Sequence, residues 1–185
     1  MKLKMVKRLA SKRSVNNQIR REGNIPAVLY RRGTPNELVS VDGVDFSEAL
    51  RKMPSGRLAT TKFTLVDGDN HMAVIVKEIQ YHPTTYQVIH LDFEVLTKNV
   101  PVNVNVPLEF SGVAECAGIK LGGFLRTVIR QLKVSCLPEN IPSMFIIDVR
   151  ELVIGQSKRL SAIVMPEGVK PLKPLNEVAV VIAKR

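Results

Sequence analysis

The stretch that decides the fold is residues 100–110, VPVNVNVPLEF. Apolar residues occupy every second position, and prolines, asparagines and a glutamate occupy the positions between them. This alternation is the period of a β-strand with one buried and one exposed face. The exposed face carries Pro101 and Pro107, and proline is rare in central strands because it has no backbone N–H. The stretch therefore predicts a long strand at the edge of a sheet.

Further strand-like segments follow in the second half of the chain, without any long helical pattern. The predicted strands are 123–130, 132–137, 144–149, 157–164 and 177–183. They indicate an all-β, sandwich-like domain over residues 97–185. The short polar segment Thr97-Lys98-Asn99 is the predicted boundary.

The first half predicts a small β-barrel over residues 1–96, with one or two short helices. Residues 11–18 are polar and basic, which predicts a loop, and Gly23 is expected to stop a short helix over 15–22. A second helix is expected to start near Asp42 or Val44 and to end at Pro54-Ser55-Gly56. Residues 67–70 predict a hairpin loop of about four residues. The predicted strands are 2–9, 26–30, 37–42, 62–66, 72–77 and 87–96.

Positive charge is concentrated at the start of the chain. The net charge is +10, and ten of the 27 Lys and Arg residues lie in the first 33 positions, against one acid, Glu22. Such a cluster favours a polyanion as partner, because Lys and Arg that neutralise phosphates release counterions. A solvated basic surface is the alternative that charge alone leaves open.

Composition also limits the compartment and the chemistry. Cys116 and Cys136 have small or apolar neighbours, which predicts buried thiols rather than a disulfide bond. Residues 1–8 lack the apolar run of a signal peptide, and no stretch reaches the roughly 20 apolar residues of a membrane span. The sequence thus predicts a cytoplasmic protein with no membrane contact, and a monomer when free.

No motif predicts catalysis, a cofactor or a small-molecule substrate. The chain has no phosphate-binding loop, no His-Glu-x-x-His and no Cys-x-x-Cys, and its Gly118–Gly123 segment favours a turn or a bulge. His82, His90 and Asp92 are metal-ligand types, but no fourth ligand is evident. We therefore expect neither an enzyme nor a metal site.

Several residues leave two interpretations open. His90 and Asp92 lie on one face of a predicted strand, which fits either an exposed ion pair or a nucleic-acid contact. Tyr30 fits either the core or a stacking or hydroxyl contact beside the basic cluster. Arg8, Arg20 and Arg21 fit solvated charges or contacts to phosphate.

Two segments nevertheless resemble the signatures of a known family. They are residues 20–30, RREGNIPAVLY, and residues 79–83 followed by 90–93, IQYHP and HLDF. The family is the bacterial large-subunit ribosomal protein twenty-five, which binds 5S rRNA. The second half resembles the C-terminal domain of its long form, the general stress protein CTC type. Matching segments there are 106–108, 118–123, 137–142, 148–155 and 166–169.

The resemblance implies that the barrel grips the loop E region of 5S rRNA and that the second domain contacts neighbouring RNA or protein. The family's RNA contacts match Arg8, Arg20, Tyr30, His90 and Asp92. The arginines and lysines, including Arg21 of the same signature, would contact phosphates and so set the register on the RNA. Tyr30, His90 and Asp92 would read sugar or base edges.

The chain departs from the family between Lys12 and Asn17. Many members have a glycine-containing basic turn there, whereas this chain keeps the charge without glycine. Phosphate contacts by Lys12 and Arg13 remain the expectation. A structural constituent of the large ribosomal subunit is therefore the predicted function. The alternative is a stress-associated protein that acts partly off the ribosome, which an excess of free protein over ribosomes under stress would reveal.

Overall fold

The chain folds into two β-rich units, residues 1–100 and 101–185, as seen in a computed structural model. The structure describes residues 1–8, 12–68 and 70–184. Three predicted segments extend beyond the described residues: the strand 2–9 at residue 9, the loop 11–18 at residue 11 and the hairpin loop 67–70 at residue 69. The prediction of a mainly β protein is confirmed.

A closed six-stranded barrel forms the first unit. Its order is β1-β3-β2-β6-β5-β4, and β1 closes the barrel by pairing with β4 in parallel. Every second residue points inwards, and the core is built from Val, Leu and Ile with Phe46, Phe63 and Phe93. The strands are β1 (Lys2–Lys7), β2 (Asn24–Tyr30), β3 (Glu37–Asp42), β4 (Lys62–Asp67), β5 (Asn70–Tyr81) and β6 (Val88–Val95).

Two helices connect the strands of the barrel. The helix α2 (Gly43–Lys52) begins where the Asp42 carboxylate accepts the backbone N–H groups of Val44 and Asp45, at 2.8 and 3.2 Å. Such a cap satisfies donors that the first turn of a helix leaves unpaired. A short 3-10 turn, Leu58–Thr60, precedes β4.

The helix α1 (Arg13–Arg21) contradicts the loop predicted over 11–18. Polar composition favoured a loop, but Val15 and Ile19 lie four residues apart and share one side of the helix. Both side chains are half-buried, and α1 contacts β2. Gly23, at φ 82°, ends this segment as predicted.

The β4–β5 hairpin is tighter than predicted. Asp67 pairs with Asn70, so the loop between the strands is two residues long instead of about four. Ladder hydrogen bonds thus extend to the end of the hairpin.

Two sheets form the second unit. One has the order β10-β7-β9-β12 and the other has the order β11-β13-β8. A short helix, α3 (Ala117–Lys120), precedes β8, and 3-10 turns cover Pro138–Asn140 and Leu160–Ala162. The strands are β7 (Val102–Ser111), β8 (Gly123–Thr127), β9 (Gln131–Cys136), β10 (Phe145–Asp148), β11 (Ser157–Arg159), β12 (Lys170–Pro171) and β13 (Val178–Lys184).

The long strand β7 alternates as predicted, but its predicted place at a sheet edge is wrong. It lies between β9 and β10, which divide it: β9 pairs with Val102–Pro107, and β10 pairs with Leu108–Ser111. Pro101 precedes the strand and Pro107 lies where one partner replaces the other. Each paired residue of β7 thus has one partner strand, which is compatible with proline at positions 101 and 107.

Cys116 and Cys136 are buried, as predicted. None of the helices in residues 1–8, 12–68 and 70–184 has the length and apolar character needed to span a membrane.

Candidate nucleic-acid interface

Tyr30, His90 and Asp92 form one hydrogen-bonded cluster on the outside of the barrel. Their neighbours Leu29, Leu91 and Phe93 are fully or almost fully buried, so alternation turns the three polar side chains outwards. The Tyr30 hydroxyl donates to Asp92 Oδ2 at 3.2 Å, and His90 Nδ1 lies 2.8 Å from Asp92 Oδ1. The two carboxylate oxygens thus each hold one neighbour.

The Asp92 carboxylate keeps capacity for further donors. A carboxylate offers about four lone-pair sites, and two are used inside the cluster. The side chains of His90 and Asp92 are 20% and 21% exposed, so both reach the surface without being fully solvated. The cluster therefore presents fixed acceptors to a partner that brings N–H or O–H groups.

Tyr30 remains a hydrogen-bond donor over the whole physiological pH range. Burial raises the pKa of its hydroxyl, and the charge of Asp92, its hydrogen bond and the charge of Glu78 raise it further. The protonated hydroxyl is the form that can donate to Asp92.

Arg20 lies at the edge of this cluster. Its Nε donates to the carbonyl of Ile89, the residue before His90, at 3.1 Å, and its Nη1 donates to Asn17 Oδ1 at 3.2 Å. A guanidinium has five N–H donors, so three remain beyond these two bonds. Arg20 is exposed. Its guanidinium is fixed by these two hydrogen bonds, and its remaining donors are suited to a phosphate.

Arg8 makes contacts within the protein rather than at its surface. Its Nε donates to the Val39 carbonyl at 2.9 Å and its Nη2 to the Ala27 carbonyl at 3.2 Å. Its Nη1 donates to Asn16 of α1. Burial, together with the charge of Arg20, lowers the pKa of Arg8. The geometry thus gives Arg8 a positioning role between the barrel and α1, and its contact with RNA stays a prediction.

The remaining predicted side chains belong to α1 and its cap. Lys12 is the N-cap residue, and Arg13 and Arg21 are exposed. Positions 13, 17, 20 and 21 fall on one side of a helix, and at 13, 20 and 21 that side carries arginine. The structure therefore brings the helical arginines to one surface, with Arg20 linking it to the Tyr30 cluster.

Two neighbours of the cluster were not among the predicted contact residues. Glu78 and Gln80 of β5 pair with Asp92 and His90 and are exposed. Cross-strand register brings them there. Gln80 lies in the segment 79–83 that resembles the family signature, whereas nothing in the local sequence indicates Glu78. Glu78 adds negative charge beside Asp92, whereas Gln80 adds an amide that can both donate and accept.

An open groove of about 650 Å³ runs from Arg20 past the start of β6 to α2. Arg51 of α2 lines it together with Gln87 and Val88. Gly43 permits the close approach of α2 to β2, because a Cβ there would lie 2.3 Å from the Gly23 carbonyl oxygen. With exposed Arg51, the basic surface thus continues from α1 along the groove to α2.

His82 is separate from the cluster. Its Nδ1 accepts the backbone N–H groups of Thr84 and Thr85, both at 3.3 Å, so it stabilises the turn between β5 and β6. In the described part of the chain, no three His, Cys, Asp or Glu residues are grouped so that they could hold a metal ion.

The two units match two family models. Residues 3–93 match the ribosomal L25p family, and residues 101–185 match the C-terminal domain of ribosomal protein TL5. Large ribosomal subunit protein bL25 of Chlamydia muridarum is 45% identical to the chain over the full length of both. The chain belongs to the ribosomal L25p family. The same protein of Chlamydia trachomatis serovar A is 44% identical and that of Chlamydia pneumoniae 40% identical, again over both full lengths.

Membership of the L25p family in its long, two-domain form confirms the resemblance found in the sequence. L25p proteins are structural and have no enzymatic activity. The contact residues, the domain boundary at 97–99 and the role off the ribosome stay predictions.

Proposed function

We propose that this L25p protein is a structural constituent of the large ribosomal subunit whose barrel binds the loop E region of 5S rRNA. Its second unit contacts neighbouring RNA or protein. The observation that carries the proposal is the Tyr30–Asp92–His90 cluster, held at the surface beside the arginines of α1. One surface thus offers both phosphate-binding cations and fixed acceptors for base or sugar groups.

The acid in the cluster favours an irregular RNA helix over a regular one. Phosphates repel Asp92, so its RNA partner has to be a base amino or imino group or a 2′-hydroxyl. In a regular A-form helix the major groove is too narrow for side chains, so only the 2′-hydroxyls and base edges of the minor groove are open to Asp92. Non-standard base pairs widen the groove and expose such donors, which supports an internal loop as the target.

Different side chains make the phosphate contacts and the base contacts in this arrangement. Arg13, Arg20 and Arg21 supply the charge that sets register along the backbone. Tyr30, His90 and Asp92 add little net charge and are fixed by each other, so they discriminate between RNA shapes.

A titration of the full chain against 5S rRNA and against a fully paired RNA duplex of equal length tests the proposal. We expect binding to 5S rRNA that persists near about 150 mM salt, and weak duplex binding that is lost there. Equal affinities that fall together with salt would show a generic polyanion surface and refute shape recognition.

A further inference from the structure

The second unit has a basic surface that the proposed 5S rRNA contact does not use. It lies on the three-stranded sheet β11-β13-β8, whose strands carry Arg and Lys but no Asp or Glu. The sheet β10-β7-β9-β12 differs, since it includes Glu109 and Asp148. The four-stranded sheet also carries Lys133 and Lys170, so its acids balance its cations, whereas the three-stranded sheet has a net positive charge.

An exposed aromatic side chain lies in this basic sheet. Phe124 of β8 is 48% exposed, and its partner across the ladder is the small residue Ala183. Arg126 follows two positions later on the same face, opposite Val181, and is exposed. We call Phe124, Arg126, Val181 and Ala183 the Phe124 surface.

The lysines near β8 lie away from the Phe124 surface. Lys184 pairs with Gly123, so alternation turns it to the opposite face of the sheet from Phe124. Lys120 ends the helix α3, whose Gly118 lies against Ile182 on that opposite face. Glu177, the acid nearest to these strands in sequence, precedes β13 at the end that pairs with β11, and it is half-buried. Lys158 is turned away from this surface, because its Nζ donates to the Asp148 carbonyl at 2.6 Å.

β8 is also the last strand of its sheet in the part of the chain that the structure describes. A partner can therefore approach Phe124 from the side as well as from above. An exposed ring beside arginine is the arrangement with which proteins stack unpaired bases and hold their phosphates.

We propose that the Phe124 surface binds an unpaired nucleotide of ribosomal RNA, with the base stacked on Phe124 and its phosphate held by Arg126. The inference deepens the proposed function, because it assumes that the chain is surrounded by ribosomal RNA. Charge decides between partner classes: a neutral apolar protein surface would leave Arg126 without counter-charge, whereas RNA supplies it.

The absence of Trp from the chain allows a direct test. In Phe124→Trp, the new side chain is the single tryptophan of the protein, and a base stacked on the indole quenches its fluorescence. The full-length variant is titrated with a 12-nucleotide oligouridine and with a paired RNA duplex of the same length. Ile146→Trp is the matched control, because Ile146 is 53% exposed on the other sheet.

We expect oligouridine to quench the Phe124→Trp signal and the duplex to leave it unchanged. With labelled oligouridine, Phe124→Ala raises the Kd about five- to hundredfold, the range of one base–aromatic stack. Arg126→Ala lowers the slope of log K against log salt by about 0.7. Equal quenching of Ile146→Trp, or no quenching of Phe124→Trp, would overturn the proposal.

Adding Arg20→Ala separates this surface from the barrel. The Phe124→Trp signal should persist when Arg20→Ala weakens 5S rRNA binding, so either site can fail alone. A photo-crosslinking residue at position 124 in purified large subunits then identifies the partner. A crosslink to rRNA supports the proposal, and a crosslink to a ribosomal protein refutes it.

Discussion

Replacing Asp92 by Asn tests whether this carboxylate contacts RNA directly, because a direct contact and mere proximity change the Kd for 5S rRNA in opposite directions. The substitution keeps the shape of the side chain and one carbonyl oxygen that can accept from Tyr30, but it removes the negative charge. It also replaces the oxygen nearest to His90, 2.8 Å away, or the oxygen that accepts from Tyr30, by an amide nitrogen. In either orientation, one of the two contacts therefore loses its carboxylate acceptor and can persist only if the amide nitrogen becomes the donor.

Two electrostatic effects of opposite sign follow from this change. If Asp92 accepts from a base or a 2′-hydroxyl, losing that acceptor costs about 1–3 kcal/mol, the value of one good base contact. If Asp92 only lies near the RNA, removing a charge about 8 Å from a phosphate favours binding by about 0.5 kcal/mol in water. We expect the first effect to dominate, so the Kd for 5S rRNA should rise about five- to hundredfold.

The assay is a filter-binding titration of 5S rRNA by the wild type and by Asp92→Asn at several salt concentrations. The salt slope should stay constant, because Asp92 holds no phosphate. Asp148→Asn makes the same change in net charge in the second unit and should leave the Kd unchanged. Tighter binding by Asp92→Asn, or no change, would refute direct recognition by this carboxylate.

The remaining predictions concern the arginines and Tyr30. Arg20→Ala should weaken 5S rRNA binding and lower the salt slope by about 1, the contribution of one phosphate contact; an unchanged slope in the same titration would place Arg20 off the backbone. Arg8→Ala should lower the free energy of unfolding in urea by about 2–3 kcal/mol, because two barrel carbonyls and Asn16 lose a charged donor. Lys7→Ala, which breaks exposed ion pairs, should cost less than about 1 kcal/mol, and equal losses would contradict the positioning role of Arg8. The pKa of Tyr30 is raised above its ordinary value of 10.0, so the folded state holds this proton more tightly than the unfolded state. Stability from this group is complete below the ordinary pKa and is lost as pH rises through the folded value. Urea unfolding above pH 10 should therefore show a smaller alkaline loss for Tyr30→Phe than for wild type, and identical losses would exclude this linkage.

Local patterns in the sequence predicted most elements but not all of their ends. Strict alternation predicted β7, and the helix over 15–22 overlaps α1. The start of α1 was missed, since Arg13 and Ser14 are polar, whereas half-buried Val15 and Ile19 share one side of a helix that contacts β2. The sequence around residues 13–15 does not show that this segment will contact β2, so the start of the helix could not be predicted from it.

The candidate site shows the same division. Sequence alone determined that His90 and Asp92 share a face, because side chains in a strand alternate with a period of two. Only the tertiary structure decided that Tyr30 donates to Asp92, since this contact needs β2 and β6 to lie side by side in parallel. The same folding turned Arg8 towards the carbonyls of Val39 and Ala27 and placed β7 between two partners. Residue type and spacing are local properties, whereas register and partner depend on how segments far apart in the chain pair.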